Sequence, residues 1–278
     1  MKIIQIVIAS MLIALAFSGC TERQLSASEI RDQMTDPDKD LETYRFTTDS
    51  VHKITAFANS TNSSNMVVWS RDVGIVNLTA QSMKIMTEKN ASLDQEALRP
   101  IQREIYVFLD REIIKLNGNW SHRRLHDPDA FWKRQNVTQS QAELLNQSQM
   151  ELSGSEVIGG RDCYRIDAIP DMKAYETLLM EQMGFILPLD FINLTELYRS
   201  SDLSWTLWVS KDDDLLRKDH LEMRFAVTPE MTDLPPEELV DFPLEIDLNI
   251  TTLYSDYNLP VEITHPEGQQ LVPCAGCV

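Results

Sequence analysis

The sequence predicts an α+β domain in which antiparallel strands dominate and helices are inserted between groups of strands. Apolar and polar residues alternate along three segments in the last third of the chain, 203–209, 221–227 and 244–250. Such a period of two is expected of strands that bury one face. Short polar segments separate many of the predicted strands, which is typical of antiparallel hairpins.

The first 20 residues are predicted to be a secretory signal rather than part of the fold. Lys2 precedes an apolar segment, 3–17, of about 15 residues, fewer than the ~20 that a membrane-spanning helix needs. The segment ends in Ser18-Gly19-Cys20, which resembles the lipobox of prokaryotic lipoproteins, although Phe17 stands where that family has an aliphatic residue. The resemblance implies removal of residues 1–19 and lipid attachment at Cys20, which would tether the chain to the outer face of the cell membrane. An uncleaved N-terminal anchor and ordinary secretion are the alternatives.

The net charge of the chain is −18 at pH 7. A surface this acidic repels phosphate backbones, so nucleic acid is excluded as a partner. The same charge keeps the domain away from anionic lipid headgroups. Membrane attachment is therefore expected to depend on the lipid at Cys20.

Glycosylation sequons are unusually dense. Nine of the 12 asparagines are followed two residues later by Ser or Thr, whereas the Ser and Thr content of the chain would give between one and two by chance. The candidate glycosylation sites are Asn59, Asn62, Asn77, Asn90, Asn119, Asn136, Asn146, Asn193 and Asn249. This density indicates an extracytoplasmic glycoprotein. Together with the lipobox, it resembles a surface lipoprotein of an archaeon.

Residues 20–40 are predicted to form the lipidated N-terminus, a polar stalk and the start of a first helix near Ser28. A single domain is expected over residues 41–266, and a short tail over 267–278. The first strands of the domain are predicted at 44–57, 66–78, 83–89, 104–110 and 113–116. A polar turn, 59–65, is expected to join the first two of these strands.

Helices are predicted to interrupt the strands in the second half of the domain. Asp127 is expected to cap a helix that runs to about Asn146. A hairpin with strands at 151–158 and 163–168 turns at Gly159-Gly160, because glycine readily adopts the positive φ of a tight turn. Further helices are predicted at 171–184 and 191–198, and the strands of the last third are followed by a terminal strand at 261–264.

Local motifs in this half resemble the LolA-like superfamily of lipoprotein carriers and lipid-binding lipoproteins. The segment Gly159-Gly160-Arg161-Asp162-Cys163-Tyr164-Arg165-Ile166 is similar to a hairpin of that family, 207–218 to its tryptophan-containing hairpin, and 257–263 to its final strand. The resemblance covers residues 41–266. It implies a strongly curved antiparallel sheet that forms an unclosed β-barrel, with helices packed on the concave side.

In the lipid-binding members of that family the hollow between sheet and helices holds acyl chains. The resemblance therefore implies a protein that binds or carries a lipid or the acyl chain of a lipoprotein. The candidate cavity residues are Met172, Tyr175, Leu179, Met183, Trp205, Leu207, Met223, Phe225, Ile246 and Leu248. The alternative is an envelope interaction or sensor protein, in which the same residues fill a solid core.

Residues suited to catalysis or metal binding are few. His122 and His126 lie near two acids, but two arginines separate them, and Asp212-Asp213-Asp214 is expected to be a solvated hairpin loop. Cys274 and Cys277 form a candidate disulfide, and the odd number of cysteines after Cys20 leaves one thiol free or paired between molecules. The sequence has none of the common hydrolase, phosphate-loop or dinucleotide motifs. We therefore expect neither an enzyme nor a bound cofactor or metal.

Overall fold

A computed structural model describes residues 25–34, 41–59, 62–183, 192–232, 243–266 and 272–273. The predicted signal segment, Cys20, the stalk and the Cys274/Cys277 pair lie outside the described residues. Within them the chain forms five α-helices and one large, mainly antiparallel sheet of 13 strands.

The strands are β1 Thr43–Asn59, β2 Asn62–Asn77, β3 Ser82–Leu93, β4 Glu96–Ala97, β5 Ile101–Phe108, β6 Arg111–Leu116, β7 Asn119–Arg124, β8 Ser148–Ile158, β9 Arg161–Pro170, β10 Asp202–Ser210, β11 Leu216–Val227, β12 Leu244–Ser255 and β13 Val272–Pro273. The helices are α1 Ala27–Met34, α2 Pro128–Gln135, α3 Val137–Leu145, α4 Met172–Met183 and α5 Leu194–Ser200.

The sheet order is β13-β7-β6-β5-β3-β2-β1-β12-β11-β10-β9-β8, and β4 pairs with β3. Neighbouring strands are antiparallel except β13 and β7, which are parallel. The path does not close among the described strands, because β8 and β13 form its two ends. The predicted antiparallel, unclosed sheet is therefore confirmed.

One face of the sheet carries the hydrophobic core, and we call it the inner face. The register places apolar residues of adjacent strands side by side on it; Ile54 of β1, for example, lies opposite both Ile246 of β12 and Met66 of β2. Since side chains alternate along a strand, every second residue counted from these positions is also on the inner face. The rows of alternating residues predicted for β10, β11 and β12 share this face.

The helices pack against the inner face. Ile30 of α1, Leu145 of α3, Tyr175 of α4 and Leu197 of α5 are all fully buried in the same hydrophobic cluster as the inner rows of the sheet. Where the helices meet strands, they do so mainly at β8, β9 and β11. The described part of the chain contains no helix that is both long and apolar enough to cross a membrane.

Side-chain caps explain where the helices begin. Asp127 Oδ1 accepts a hydrogen bond from the Ala130 N–H at 3.0 Å, as predicted, and Asp171 Oδ1 caps α4 through the Lys173 and Ala174 N–H groups. The predicted single helix 127–146 is instead two helices. Asn136 separates them, because it ends α2 and its Oδ1 accepts from the Gln139 N–H to begin α3.

Two hairpin turns have the backbone conformation of tight turns, and the first of them, at Gly159-Gly160, confirms a prediction. Gly159 and Gly160 connect β8 to β9 with φ values of 57° and 81°, and Asn117 and Gly118 connect β6 to β7 with values of 48° and 90°. Positive φ at two successive residues is typical of the tightest hairpin turns. Gly74 lies on the inner face of β2 against the Phe46 ring. A β-carbon at position 74 would overlap with this ring.

Two predicted elements are wrong, and one strand is not predicted. Residues 261–266 form no strand; this segment lies between Pro260 and Pro266, and proline lacks the N–H that a strand donates. The polar segment 59–65 is mostly strand, because its side chains pair across the hairpin, as when Thr55 Oγ1 donates to Asn65 Oδ1 at 2.9 Å. Strand β7 is an addition to the predicted elements.

Candidate functional site

The residues predicted to line a cavity lie together on the inner face and on the helix above it. Met223 is paired with Leu248, and Phe225 with Ile246, in neighbouring strands. Trp205 and Leu207 extend the same surface on β10. The described members other than Met172 are at most 2% exposed, and Met172 packs against them half-buried. The side chain of Met183 lies outside the described residues. The cavity at these ten residues stays a prediction.

This part of the inner face is closely packed among the described residues. Leu207, Val209 and Val227 are 0% exposed, which leaves no room for a water molecule beside them. A hollow that holds an acyl chain would leave its lining accessible. The described side chains here resemble a close-packed interior.

A second part of the inner face is open. Near the β1–β2 hairpin, the inward apolar side chains of β1 to β3 and β5 are only half-buried or are exposed, and we call them the open inner surface: Ile54, Met66, Val68, Ala91, Leu93 and Ile101. Farther from the hairpin, inward residues of the same strands such as Val76, Met83 and Val107 are buried in the core. Leu93 is 44% exposed and Ile101 39% exposed. Met66 and Val68 are half-buried and lie outside the core cluster. This apolar surface can accept further apolar atoms without displacing a packed side chain.

Polar side chains follow the open inner surface along the same strands. Counting every second residue from Ile54 toward the start of β1 gives His52, Ser50 and Thr48, and then the half-buried Phe46 and the buried Tyr44. These residues are not among the predicted site residues, because β1 is predicted as one strand without a division of its inward positions into apolar and polar groups. The available signal was the succession of apolar, polar and apolar residues at alternate positions.

Asp219 is the most strongly perturbed carboxyl group of the inner face. It is buried, and burial raises its pKa to about 6 despite hydrogen bonds from Tyr254 and Thr252. Tyr254 Oη donates to Asp219 Oδ2 at 2.7 Å. Burial, followed by the charge of Asp219, raises the pKa of Tyr254 well above its usual value. This pair is a buried polar contact within the core rather than a group exposed to a ligand.

Cavities also occur on the opposite, outer face of the sheet. One of approximately 590 Å³ is lined mostly by charged and polar residues, among them Lys53, Glu222, Arg224 and Asp247. Arg224 Nε donates to Asp247 Oδ1 at 2.5 Å, so these two charges are paired with each other. Another, of approximately 390 Å³, includes Val73 and Met86.

The candidate metal ligands are not brought together. His122 lies on β7 and His126 in the loop before α2, and Asp213 instead forms ion pairs with Arg161 and Arg217. Among the described residues no group of three or more His, Cys, Asp or Glu side chains is placed to hold a metal ion. Cys163 is a buried free thiol, and burial raises its pKa.

The candidate glycosylation sites differ in exposure. Asn90, Asn119, Asn146, Asn193 and Asn249 are exposed, whereas Asn77 and Asn136 are half-buried. Asn136 caps a helix, and Thr138 of its sequon is buried. The side chains of Asn59 and Asn62 lie outside the described residues.

Comparisons with known proteins give structural likeness at low sequence identity. No family model and no curated protein matches the chain. Among solved structures, LprF from Mycobacterium bovis is 14% identical, with 88% of this chain and 100% of that chain covered and a TM-score of 0.41. LppX from Mycobacterium tuberculosis is 15% identical, with 85% and 97% covered and a TM-score of 0.38. A LolA superfamily protein from Nitrosomonas europaea is 10% identical, with 86% and 96% covered and a TM-score of 0.22. Each TM-score is below 0.5, so membership of this superfamily stays a prediction.

Proposed function

We propose that this protein binds the acyl chains of an amphiphile, a lipid or the acylated end of a lipoprotein, on the open inner surface. The observation that carries the proposal is the exposure of inward apolar residues such as Val68, Leu93 and Ile101 on a face whose other half is closely packed. Burying apolar surface contributes roughly 25 cal/mol per Å². An acyl chain laid along these residues would therefore be held without a specific polar contact.

We further propose that the protein acts outside the cell as a lipid-anchored glycoprotein of the LolA-like type. Cys20 would carry the anchor, and the exposed sequon asparagines, such as Asn249 on the outer face of β12, would carry glycans. The prokaryotic lipobox and the sequons together favour an archaeal cell surface. We also propose that the sheet is strongly curved and that the helices lie on its concave side.

The role we propose is binding rather than catalysis. The most perturbed carboxyl group, Asp219, is enclosed in the core, where it is hydrogen-bonded to Tyr254 and Thr252. The candidate histidines and acids lie on separate elements or in ion pairs. The role we propose therefore involves neither a cofactor nor a metal.

Mass spectrometry of organic extracts from the purified protein tests this proposal. We expect acyl-containing molecules to accompany the native protein and to be lost from Val68→Glu, which places a charge on the open inner surface. Val73→Glu on the outer face of the same strand is the matched control and should retain them. Native protein free of acyl compounds, or equal loss from the two variants, would contradict the proposal.

An envelope interaction protein is the second candidate, and one observation favours it. Trp69, Val73 and Met86 are each at least 45% exposed on the outer face of β2 and β3. Val73 and Met86 are paired neighbours, and exposed apolar residues of this kind often mark contacts with other proteins. Retention of a partner that depends on Trp69 while no acyl compound is bound would favour this function.

A further inference from the structure

Two positively charged residues lie on the inner face next to the open inner surface. Lys89 of β3 and Arg103 of β5 are inward by register, because Thr87 pairs with Arg103, Lys89 pairs with Ile101, and both rows continue the inward side of β2. Both side chains are half-buried. In a chain of net charge −18, two cations on the partly enclosed face need an explanation.

Neither cation is neutralised by an acid within the described structure. No carboxylate of the described residues lies within 4.0 Å of either charged group, whereas most other arginines of the sheet have such a partner. Arg103 Nε is buried without a hydrogen-bond partner, and its Nη2 makes one long hydrogen bond of 3.4 Å to Thr87 Oγ1. Partly desolvated and unpaired cations are costly, and an anion placed beside them would offset that cost.

The neighbouring side chains form a polar band with these cations. Thr48, Asp72, Thr87 and Arg103 follow one another across four adjacent strands. His52 lies on the apolar side of this row, and its pKa is lowered first by burial and then by the charge of Lys89. Asp72 is the one carboxylate among the six residues Thr48, His52, Asp72, Thr87, Lys89 and Arg103. Two cations against one acid leave these six residues with a net positive charge; the next carboxyl group of the row, Asp219, lies beyond Thr252, buried in the core, where its pKa is raised to about 6.

We infer that the polar band binds the anionic headgroup of an amphiphile whose acyl chain lies on the open inner surface. The inference rests on the proposed function, and it adds the class of ligand. Arg103 donates from its guanidinium and Lys89 from its ammonium group to the carboxylate or phosphate oxygens, as these groups commonly do. The hydroxyls of Thr48 and Thr87 can donate further hydrogen bonds. The apolar residues from Val68 to Ile54 continue away from the polar band, in the direction that an acyl chain attached to this headgroup would take.

Binding of three fluorescent probes with the same acyl chain tests this inference. The probes are a fatty acid, a phosphatidic acid and an uncharged diacylglycerol, so that the first two distinguish carboxylate from phosphate. We expect the protein to bind at least one anionic probe more tightly than the neutral one. The double variant Lys89→Gln/Arg103→Gln should weaken anionic binding by about tenfold or more and leave the dissociation constant of the neutral probe unchanged.

The matched control is Lys53→Gln/Arg71→Gln, which removes the same charge from exposed positions on the outer faces of β1 and β2. It should keep the preference for the anionic probe. Equal binding of charged and neutral probes by the native protein, or equal effects of the two double variants, would overturn the inference while leaving acyl binding intact. Failure of all three probes to bind would contradict the proposed function as well.

Discussion

At the scale of single residues, the carboxyl group of Asp219 makes the free energy of unfolding depend on pH. Its carboxyl group is buried between Tyr254 and Thr252, and its pKa is raised to about 6 from the usual 3.8. Between these two pKa values the folded state binds a proton that the unfolded state has released. The free energy of unfolding must therefore fall as pH rises through this range.

The first prediction is that Asp219→Asn removes this pH dependence. A pKa difference of this size corresponds to about 3 kcal/mol, so the native protein should lose up to about that much stability between pH 4 and pH 7. The asparagine variant should lose less over the same interval, since it can still accept from Tyr254 and has no charge to bury. Denaturant unfolding at a series of pH values measures the difference.

The control for this experiment is Asp162→Asn, which changes an exposed acid at the start of β9. It should follow the native pH profile. An Asp219→Asn profile parallel to that of the native protein would mean that the buried carboxyl group does not titrate as its surroundings imply.

At the scale of elements, the two parts of the inner face should respond differently to larger side chains. Val209 of β10 is fully buried among helix-covered strands, whereas Val68 of β2 is half-buried on the open inner surface. Inserting extra methylene or ring atoms into a packed core typically costs ~1–3 kcal/mol. The same change where space is open costs far less.

The second prediction therefore compares Val209→Phe with Val68→Phe. We expect Val209→Phe to lower the free energy of unfolding by ~1–3 kcal/mol. Val68→Phe should change it by about 0.5 kcal/mol or less and should weaken binding of a fluorescent acyl probe. Denaturant unfolding and probe titration of both variants measure these effects. If Val209→Phe were tolerated and abolished probe binding, the hollow would lie at the predicted cavity residues instead.

Much of this arrangement could be predicted from local sequence. The alternation of Leu221, Met223 and Phe225 with polar residues predicts the inner rows, and Asp127 and Gly159 predict a helix start and a turn from their own chemistry. The pairing of β1 with β12 could not be predicted in this way. It joins residues about 200 positions apart, and which strands meet depends on how the whole sheet packs.

The candidate site was harder to predict for the same reason. Whether an inward residue is buried or open depends on where the helices lie, and α1 to α5 cover one part of the sheet more than the other. Val68 and Val209 are both inward valines in strands, and nothing in their immediate neighbours distinguishes them. Lys89 and Arg103 were missed because charged residues on a strand are usually assigned to its solvent-exposed face.

At the scale of the whole molecule, the proposed location of the protein rests on residues outside the described structure. The proposed anchor is Cys20, and no described helix is long and apolar enough to cross a membrane. The third prediction is that Cys20→Ser releases the protein into the medium or leaves it uncleaved. Fractionation of cells and mass measurement of the N-terminus distinguish these outcomes. A variant that is cleaved after residue 19 and remains membrane-bound would remove lipidation from the account.

The fourth prediction is that a bound acyl chain lies on the open inner surface. A fatty acid with a photoreactive diazirine on its acyl chain, irradiated with the purified protein and followed by peptide mass spectrometry, reports the residues in contact with the chain. We predict adducts on the open inner surface, at Met66, Val68 or Ala91, and their loss when unlabelled fatty acid competes. Adducts confined to Trp69, Val73 and Met86 on the outer face, or adducts that competition does not reduce, would contradict it.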